Sequence, residues 1–244
     1  MRTMLKAAFF LISLFSTTSL VHAQSESTKN VFPQIVDGIQ SDGSVFTSRI
    51  WIASIRGLPA SCSLSLYGFG PDRLTSSASV VVQPSSFATI STRGQDAVAD
   101  GYARLDCSQP VFASLTYFLQ EPNSKPLGMA TVTGALATSR ALIPMVLNGR
   151  YRYGIAIAND NDAPLAVALM LTSSPTVQPL AIQVPPRSQY VKFVDEIFTL
   201  PAEGSATFEI VAIANGSAGS DNFNVMGLLF DGGTFTTLVP ATIH

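Results

Sequence analysis

Apolar residues occur along the whole chain in short alternating runs that are separated by Gly, Pro, Asn and Asp. Between Ile50 and Leu66 the apolar residues share one face, while Arg49 and several serines share the other. Alternation with a period of two predicts antiparallel strands with one buried face and one solvent-exposed face, as in a β-sandwich. One segment differs, because Phe193 and Ile197 stand four residues apart and predict a short helical turn near residues 193–198. The predicted fold class is therefore all-β.

Internal similarity predicts the domain organisation. Four blocks recur in the same order: 32–38 with 143–149, 50–66 with 155–171, 82–86 with 184–188, and 101–105 with 204–208. A repeat near 105 residues predicts two tandem immunoglobulin-like antiparallel β-sandwiches. We expect a mature N-terminal tail at 24–31, the first domain at 32–136 and the second at 137–244. One larger sandwich built by both halves together is the alternative.

The first 23 residues have the pattern of a secretory signal peptide. Arg2 and Lys6 precede an apolar run too short to span a bilayer, and the segment ends in small residues at Ala23. We expect cleavage after Ala23 and a secreted product, extracellular or periplasmic. No later run is apolar enough to hold the mature chain in a membrane.

Charge and histidine content exclude several classes of function. The formal net charge is −2 and the basic residues are scattered, so no basic stripe is available for nucleic acid. Of the two histidines, His22 leaves with the signal peptide and His244 is the last residue, which leaves no general base for a Ser-His or Cys-His site. The sequence therefore predicts no catalytic residue and no cofactor.

The two cysteines, Cys62 and Cys107, are predicted to form a structural disulfide. Exported proteins fold in an oxidising space, and both positions are expected to face the core of the first half. In the repeat alignment they match Val167 and Ile210, and we expect one cysteine in each sheet. Two free buried thiols are the alternative.

The densest group of oxygen ligands is Asn159-Asp160-Asn161-Asp162, between two predicted strands. Such a cluster is a weak calcium candidate, because carboxylate and amide oxygens are the ligands that calcium prefers. The segment lacks the glycine and distal glutamate of an EF-hand loop, and Asn and Asp also favour turns by bonding their own backbone. A simple turn is the favoured interpretation.

Trp51 is the only tryptophan. Ile50 and Ile52 are expected on the buried face of their strand, so Trp51 is expected beside Arg49 on the opposite face. A tryptophan in that position can stack on a sugar ring or a cation, which makes Trp51 and Arg49 candidate ligand contacts. The alternative is a structural tryptophan covered by a neighbouring loop or domain.

The blocks resemble a family of uncharacterised bacterial secreted modules that occur as tandem β-sandwiches. The matching residues are 32–38, Gly154–Asn159 with Pro164, Val184–Pro186, 193–198, Leu200-Pro201 and 235–237. The resemblance implies a pair of sandwiches without assigned catalytic residues. The glycine-rich run that usually follows Asp37-Gly38 is absent here.

Together these features predict a non-catalytic secreted protein with a surface-interaction, adhesion or structural role. Its partner is expected to be an extracellular protein or a glycan surface. The alternative is a carbohydrate-binding module, with calcium as a stabilising ion.

Overall fold

A computed structural model describes residues 26–172, 178–213, 222–232 and 234–243. The predicted signal peptide, residues 1–23, lies outside the described residues. The first half contains seven strands: β1 (Ser27–Ile39), β2 (Val45–Ser54), β3 (Ala60–Tyr67), β4 (Ser79–Val82), β5 (Ser86–Ser91), β6 (Ala99–Gln120) and β7 (Pro126–Thr133). The described part of the second half contains nine: β8 (Arg140–Leu147), β9 (Tyr151–Asn159), β10 (Leu165–Leu171), β11 (Leu180–Val184), β12 (Ser188–Phe193), β13 (Gly204–Ala212), β14 (Asn224–Asp231), β15 (Thr234–Leu238) and β16 (Ala241–Ile243).

The fold is all-β, and the strands named above pair in an antiparallel way, as predicted for a β-sandwich. In the first half β6 runs for 22 residues and belongs to two layers. Its first part pairs with β1 and β3, and its last part pairs with β2 and β7. The resulting layers are β4-β3-β6-β1 and β5-β2-β6-β7. Within the described part of the second half the layers are β11-β10-β13-β8-β16 and β12-β9-β14-β15.

Each half has its own cluster of buried apolar side chains, but one sheet contributes to both. Ile155 and Ile157 of β9 pack into the second cluster, whereas Ala156 of the same strand packs into the first, together with Met226 and Leu228 of β14. The sheet β12-β9-β14-β15 therefore has apolar contacts on both faces. This explains why the run Gly154–Ala158 carries no alternating polar residue, because a strand buried on both faces is apolar throughout.

One expectation about the chain's segments needs revision. Residues 27–31, expected in an N-terminal tail, are the start of β1, where Lys29 pairs with Asp106 and Val31 with Arg104. The helical turn expected at 193–198 is present as a 3-10 turn at Val194–Glu196. The predicted boundary between 136 and 137 falls in the segment that connects β7 to β8. Among the described residues, no helix has the length and apolar character needed to cross a membrane.

The disulfide between Cys62 and Cys107 is present, with the two Cα atoms 4.1 Å apart. The expectation of one cysteine in each sheet is wrong, because the cysteines face each other on neighbouring strands, β3 and β6. In the second half Val167 faces Ala212, so the predicted match of Cys107 with Ile210 is displaced by two residues. A two-residue shift keeps a side chain on the same face of a strand, which is why the burial expected for Ile210 is still correct.

Candidate functional site

The outer face of the β5-β2-β6-β7 layer carries the predicted contact residues. Ile50 and Ile52 are fully buried, and this alternation turns Trp51 and Arg49 outward, as the sequence predicted. Trp51 is 36% exposed, so the first half leaves part of its ring open to solvent.

Arg49 is held between two aromatic rings. Its guanidinium carbon lies 5.6 Å from the centre of the Trp51 ring and 5.3 Å from the centre of the Phe118 ring. Its Nε donates a hydrogen bond to the Ser91 hydroxyl at 3.1 Å. A cation within about 6 Å of a ring centre is attracted by the negative face of that ring. The cation expected near Trp51 is thus supplied by the chain itself, and the Arg49 side chain is ordered before any partner arrives.

Further apolar side chains extend this outer face on both sides. Phe87 lies 6.0 Å from Trp51 between ring centres and is 67% exposed, and Met129 is 64% exposed. The positions between them carry hydroxyls, and Thr116 and Thr131 are hydrogen-bonded to each other at 3.0 Å. We call Arg49, Trp51, Phe87, Phe118 and Met129 the aromatic face. Exposed apolar side chains that lie together are typical of interaction sites.

The Asn159–Asp162 cluster lies at the contact between the two halves, and its central residue is Asp160. The Asp160 side chain is 4% exposed. Its Oδ1 accepts hydrogen bonds from Arg187 Nη1 at 2.7 Å and from the Tyr102 hydroxyl at 3.1 Å. Its Oδ2 forms ion pairs with Lys29 Nζ at 2.6 Å and Arg104 Nη1 at 3.6 Å. Three cationic side chains, two from the first half and one from the second, therefore surround one buried carboxylate.

The neighbours of Asp160 are also engaged. The Asn159 side-chain amide donates to the carbonyls of Ala163, Val184 and Pro185, and its Oδ1 accepts from the Asn161 backbone. Arg187 Nε donates to Asp162 at 2.9 Å, a bond that lowers the pKa of the Asp162 carboxyl and raises the pKa of Arg187.

These contacts match the turn interpretation, because the oxygens accept hydrogen bonds from amide and guanidinium donors. Within the described residues, no group of three or more His, Cys, Asp or Glu side chains is arranged to hold a metal ion. The calcium hypothesis stays a prediction, and the three cations around Asp160 oppose it electrostatically.

Burial and the Asp160 charge both act on the Tyr102 hydroxyl. The Tyr102 ring is fully buried and stacks on Tyr67 with ring centres 4.4 Å apart. Burial, followed by the negative charge of Asp160, raises the pKa of Tyr102 because both disfavour a phenolate.

Sequence reasoning did not identify Lys29, Arg104, Arg187 or Tyr102 as partners of Asp160. These residues are far apart in the chain, and only the packing of the two halves brings them together. Phe87 and Phe118 were also missed, although the alternation within β5 and β6 would have placed both on an outer face.

No protein-family model matches the chain, and no curated protein matches it. The resemblance to tandem secreted modules therefore stays a prediction.

Proposed function

We propose that this is an exported, non-catalytic protein that contacts an extracellular protein or glycan surface through the aromatic face. One observation carries the proposal: Trp51 and Phe87 are exposed side by side on a sheet whose other outward positions are mostly hydroxyls. Tryptophan and arginine are also the residues most enriched at the energetic centres of protein interfaces. Arg49 is already immobilised by the two rings, which lowers the entropy lost on binding.

We also infer that the two halves are copies of one immunoglobulin-like sandwich, as the repeat near 105 residues predicts. Equivalent strand pairs support this inference: Ala60 faces Val82 in the first half, and Leu165 faces Val184 in the second. In this alignment Trp51 takes the place of Ala156, which is buried against the first half. The repeated fold therefore does not require a tryptophan at this position in both halves, and the location of Trp51 on an open face favours a binding role.

Export is the third part of the proposal. The N-terminal pattern at 1–23 is that of a signal peptide, and the Cys62–Cys107 disulfide is compatible with an oxidising compartment. Mass spectrometry of the protein from the medium or periplasm should give Gln24 as the first residue.

Because Trp51 is the only tryptophan, its fluorescence reports directly on the aromatic face. Screening of glycans and extracellular matrix proteins should yield a partner that shifts the Trp51 emission. Trp51→Ala and Phe87→Ala should each weaken the interaction, measured by surface plasmon resonance, by about tenfold or more. Val81→Ala is the matched control, because Val81 is 53% exposed on β4, in the other layer. Equal loss in all three variants, or binding without any change at Trp51, would contradict the proposal.

A carbohydrate-binding module is the second candidate. Trp51 has Thr89 and Ser114 directly opposite it on the neighbouring strands, so its ring is flanked by hydroxyl donors and acceptors. A glycan array probed with and without calcium distinguishes this candidate from a protein partner and tests the calcium hypothesis. Turnover of a glycoside or peptide that disappears when one carboxylate is substituted would refute the non-catalytic assignment.

A further inference from the structure

A pocket that is separate from the aromatic face lies where the two halves meet. It has a volume of about 370 Å³ and is bordered by side chains of β1, β2 and β6 from the first half and of β14 and β15 from the second. This volume is at the lower end of the range for small-molecule sites. None of its lining residues belongs to the aromatic face.

Four aromatic rings border this pocket: Phe46, Tyr117, Phe230 and Phe235. The Phe235 ring makes angles of 64° with Phe46 and 63° with Tyr117, each with ring centres 6.1 Å apart. Phe230 lies more nearly parallel to Phe235, with ring centres 5.8 Å apart. Rings at steep angles around one space are the arrangement by which proteins enclose alkylated ammonium groups.

The walls are also held in place. The Tyr117 hydroxyl donates to the backbone carbonyl of Gln34 at 2.6 Å, and Tyr117 is 2% exposed. Phe235 is fixed by its three aromatic neighbours. The pocket is therefore largely preformed, which favours binding of a small ligand.

The charge of the lining favours a cation. Asp100 is the one carboxylate among the described lining residues, and none of them is basic. Asp100 Oδ2 accepts a hydrogen bond from Gln189 Nε2 at 2.6 Å. The Oε1 atom of the same Gln189 amide is buried and has no hydrogen-bond partner among the described residues. The Asp100 carboxylate is thus an acceptor that borders an aromatic pocket.

A neighbouring ring already binds a cation of the protein. The Phe193 ring lies 5.2 Å from Phe230 between centres, and the Arg152 guanidinium carbon lies 3.5 Å from the centre of Phe193. Arg152 is itself paired with Asp195 and Glu196, so it is held away from the pocket as an ion pair. The positive charge of Arg152 is therefore compensated by its own ion pairs.

We propose that this interdomain pocket binds an alkylated ammonium group, with the rings of Phe46, Tyr117, Phe230 and Phe235 around the methyl groups and Asp100 as the counter-charge. A free quaternary amine and a phosphatidylcholine head group share this chemistry.

Isothermal titration calorimetry of the full mature chain with choline tests the proposal. We expect saturable binding with a dissociation constant on the order of 1 mM or lower. The control probe is 3,3-dimethylbutanol, in which carbon replaces the charged nitrogen at the same shape. It should bind at least about fivefold more weakly, because the attraction between cation and ring is lost. Equal affinity for both probes, or no saturation with choline, would overturn the proposal.

Two variants locate the site. Phe235→Leu keeps apolar volume but removes a ring, and Asp100→Asn keeps an acceptor for Gln189 but removes the charge. Each should weaken choline binding about three- to thirtyfold. Val81→Leu, on the exposed side of β4, should leave it unchanged. If Phe235→Leu does not fold, Asp100→Asn alone decides, and unaltered binding in that variant contradicts the assignment.

Sedimentation with phosphatidylcholine vesicles identifies the source of the group. Sedimentation that free choline competes away supports a lipid head group. Choline binding without sedimentation supports a free amine. Both assays should give the same result with the Trp51→Ala variant, because this variant retains every lining residue of the pocket.

Discussion

Replacing Asp160 by asparagine should weaken the contact between the two halves without preventing either half from folding. Asp160→Asn keeps the size and the acceptor oxygen for Tyr102 and Arg187 but removes the charge. Hydrogen bonds to charged groups contribute about 1.5–3 kcal/mol, compared with about 0.5–1.5 kcal/mol for neutral pairs, so two such bonds lose about 2 kcal/mol together. Lys29 and Arg104 also lose their counter-ion.

The full loss for a buried ion pair, about 3–5 kcal/mol, is an upper limit here. The side chains of Lys29, Arg187 and Arg104 are 51%, 29% and 26% exposed, so solvent compensates part of the loss. We therefore expect the free energy of unfolding to fall by about 2–3 kcal/mol in Asp160→Asn. Asp162→Asn is the matched control, because Asp162 has the same Arg187 partner but its side chain is 87% exposed.

Urea unfolding followed by two probes gives the measurement. Fluorescence reports on the first half through Trp51, while far-ultraviolet circular dichroism reports on all strands. The wild type should show coincident transitions, and Asp160→Asn should show an earlier or split transition. A decrease below about 1 kcal/mol, or an equal decrease in Asp162→Asn, contradicts the assigned role of Asp160. Added calcium that stabilises the wild type but not Asp160→Asn would instead support the calcium hypothesis.

Three further predictions concern the first half. Reduction of the Cys62–Cys107 bridge, which closes a separation of 45 residues, should lower the unfolding free energy by about 2–5 kcal/mol, with the largest gain in hydrogen exchange in β3 and β6. Burial raises the pKa of Tyr117 above that of a tyrosine in the unfolded chain. The free energy of unfolding should therefore be unaffected by Tyr117 below about pH 10 and should fall as the pH rises further. In Tyr117→Phe the free energy of unfolding should depend less on pH in this alkaline range. Gly101→Ala should lower the free energy of unfolding by about 1–3 kcal/mol in thermal unfolding, because an added Cβ would overlap the Tyr67 carbonyl oxygen. Gly57→Ala is the control, because a Cβ on Gly57 has no neighbouring atom within 4 Å and should have little effect.

The alternation in β2 and β3 was sufficient to predict strand type, the buried face and the outward direction of Trp51. The disulfide was predictable from the presence of only two cysteines, the expected oxidising compartment and the inward positions expected for both residues. What alternation cannot provide is the partner of a strand. The single strand β6 serves two layers, and this continuity places Cys107 beside Cys62 rather than across the core.

The site between the halves could not be predicted for a related reason. Asp160 was recognised as an oxygen-rich turn residue, but its burial depends on Tyr102 and Arg104, more than 50 positions earlier in the chain. The aromatic rings of the interdomain pocket likewise come from four strands, two in each half. Local patterns carry little information about contacts of this kind, since they arise only when two folded units pack together.

The sheet that serves both cores also has a consequence for the order of folding during synthesis. Ala156, Met226 and Leu228 belong to the cluster that fills the first half, yet they follow β7 in the chain. The first half therefore leaves the ribosome with an incomplete core, and it stays incomplete until nearly the whole second half has emerged. Exposed apolar surface at that stage favours association with other chains. We therefore expect the open side of the first half to need shielding by a chaperone more strongly than in a chain of two self-sufficient domains.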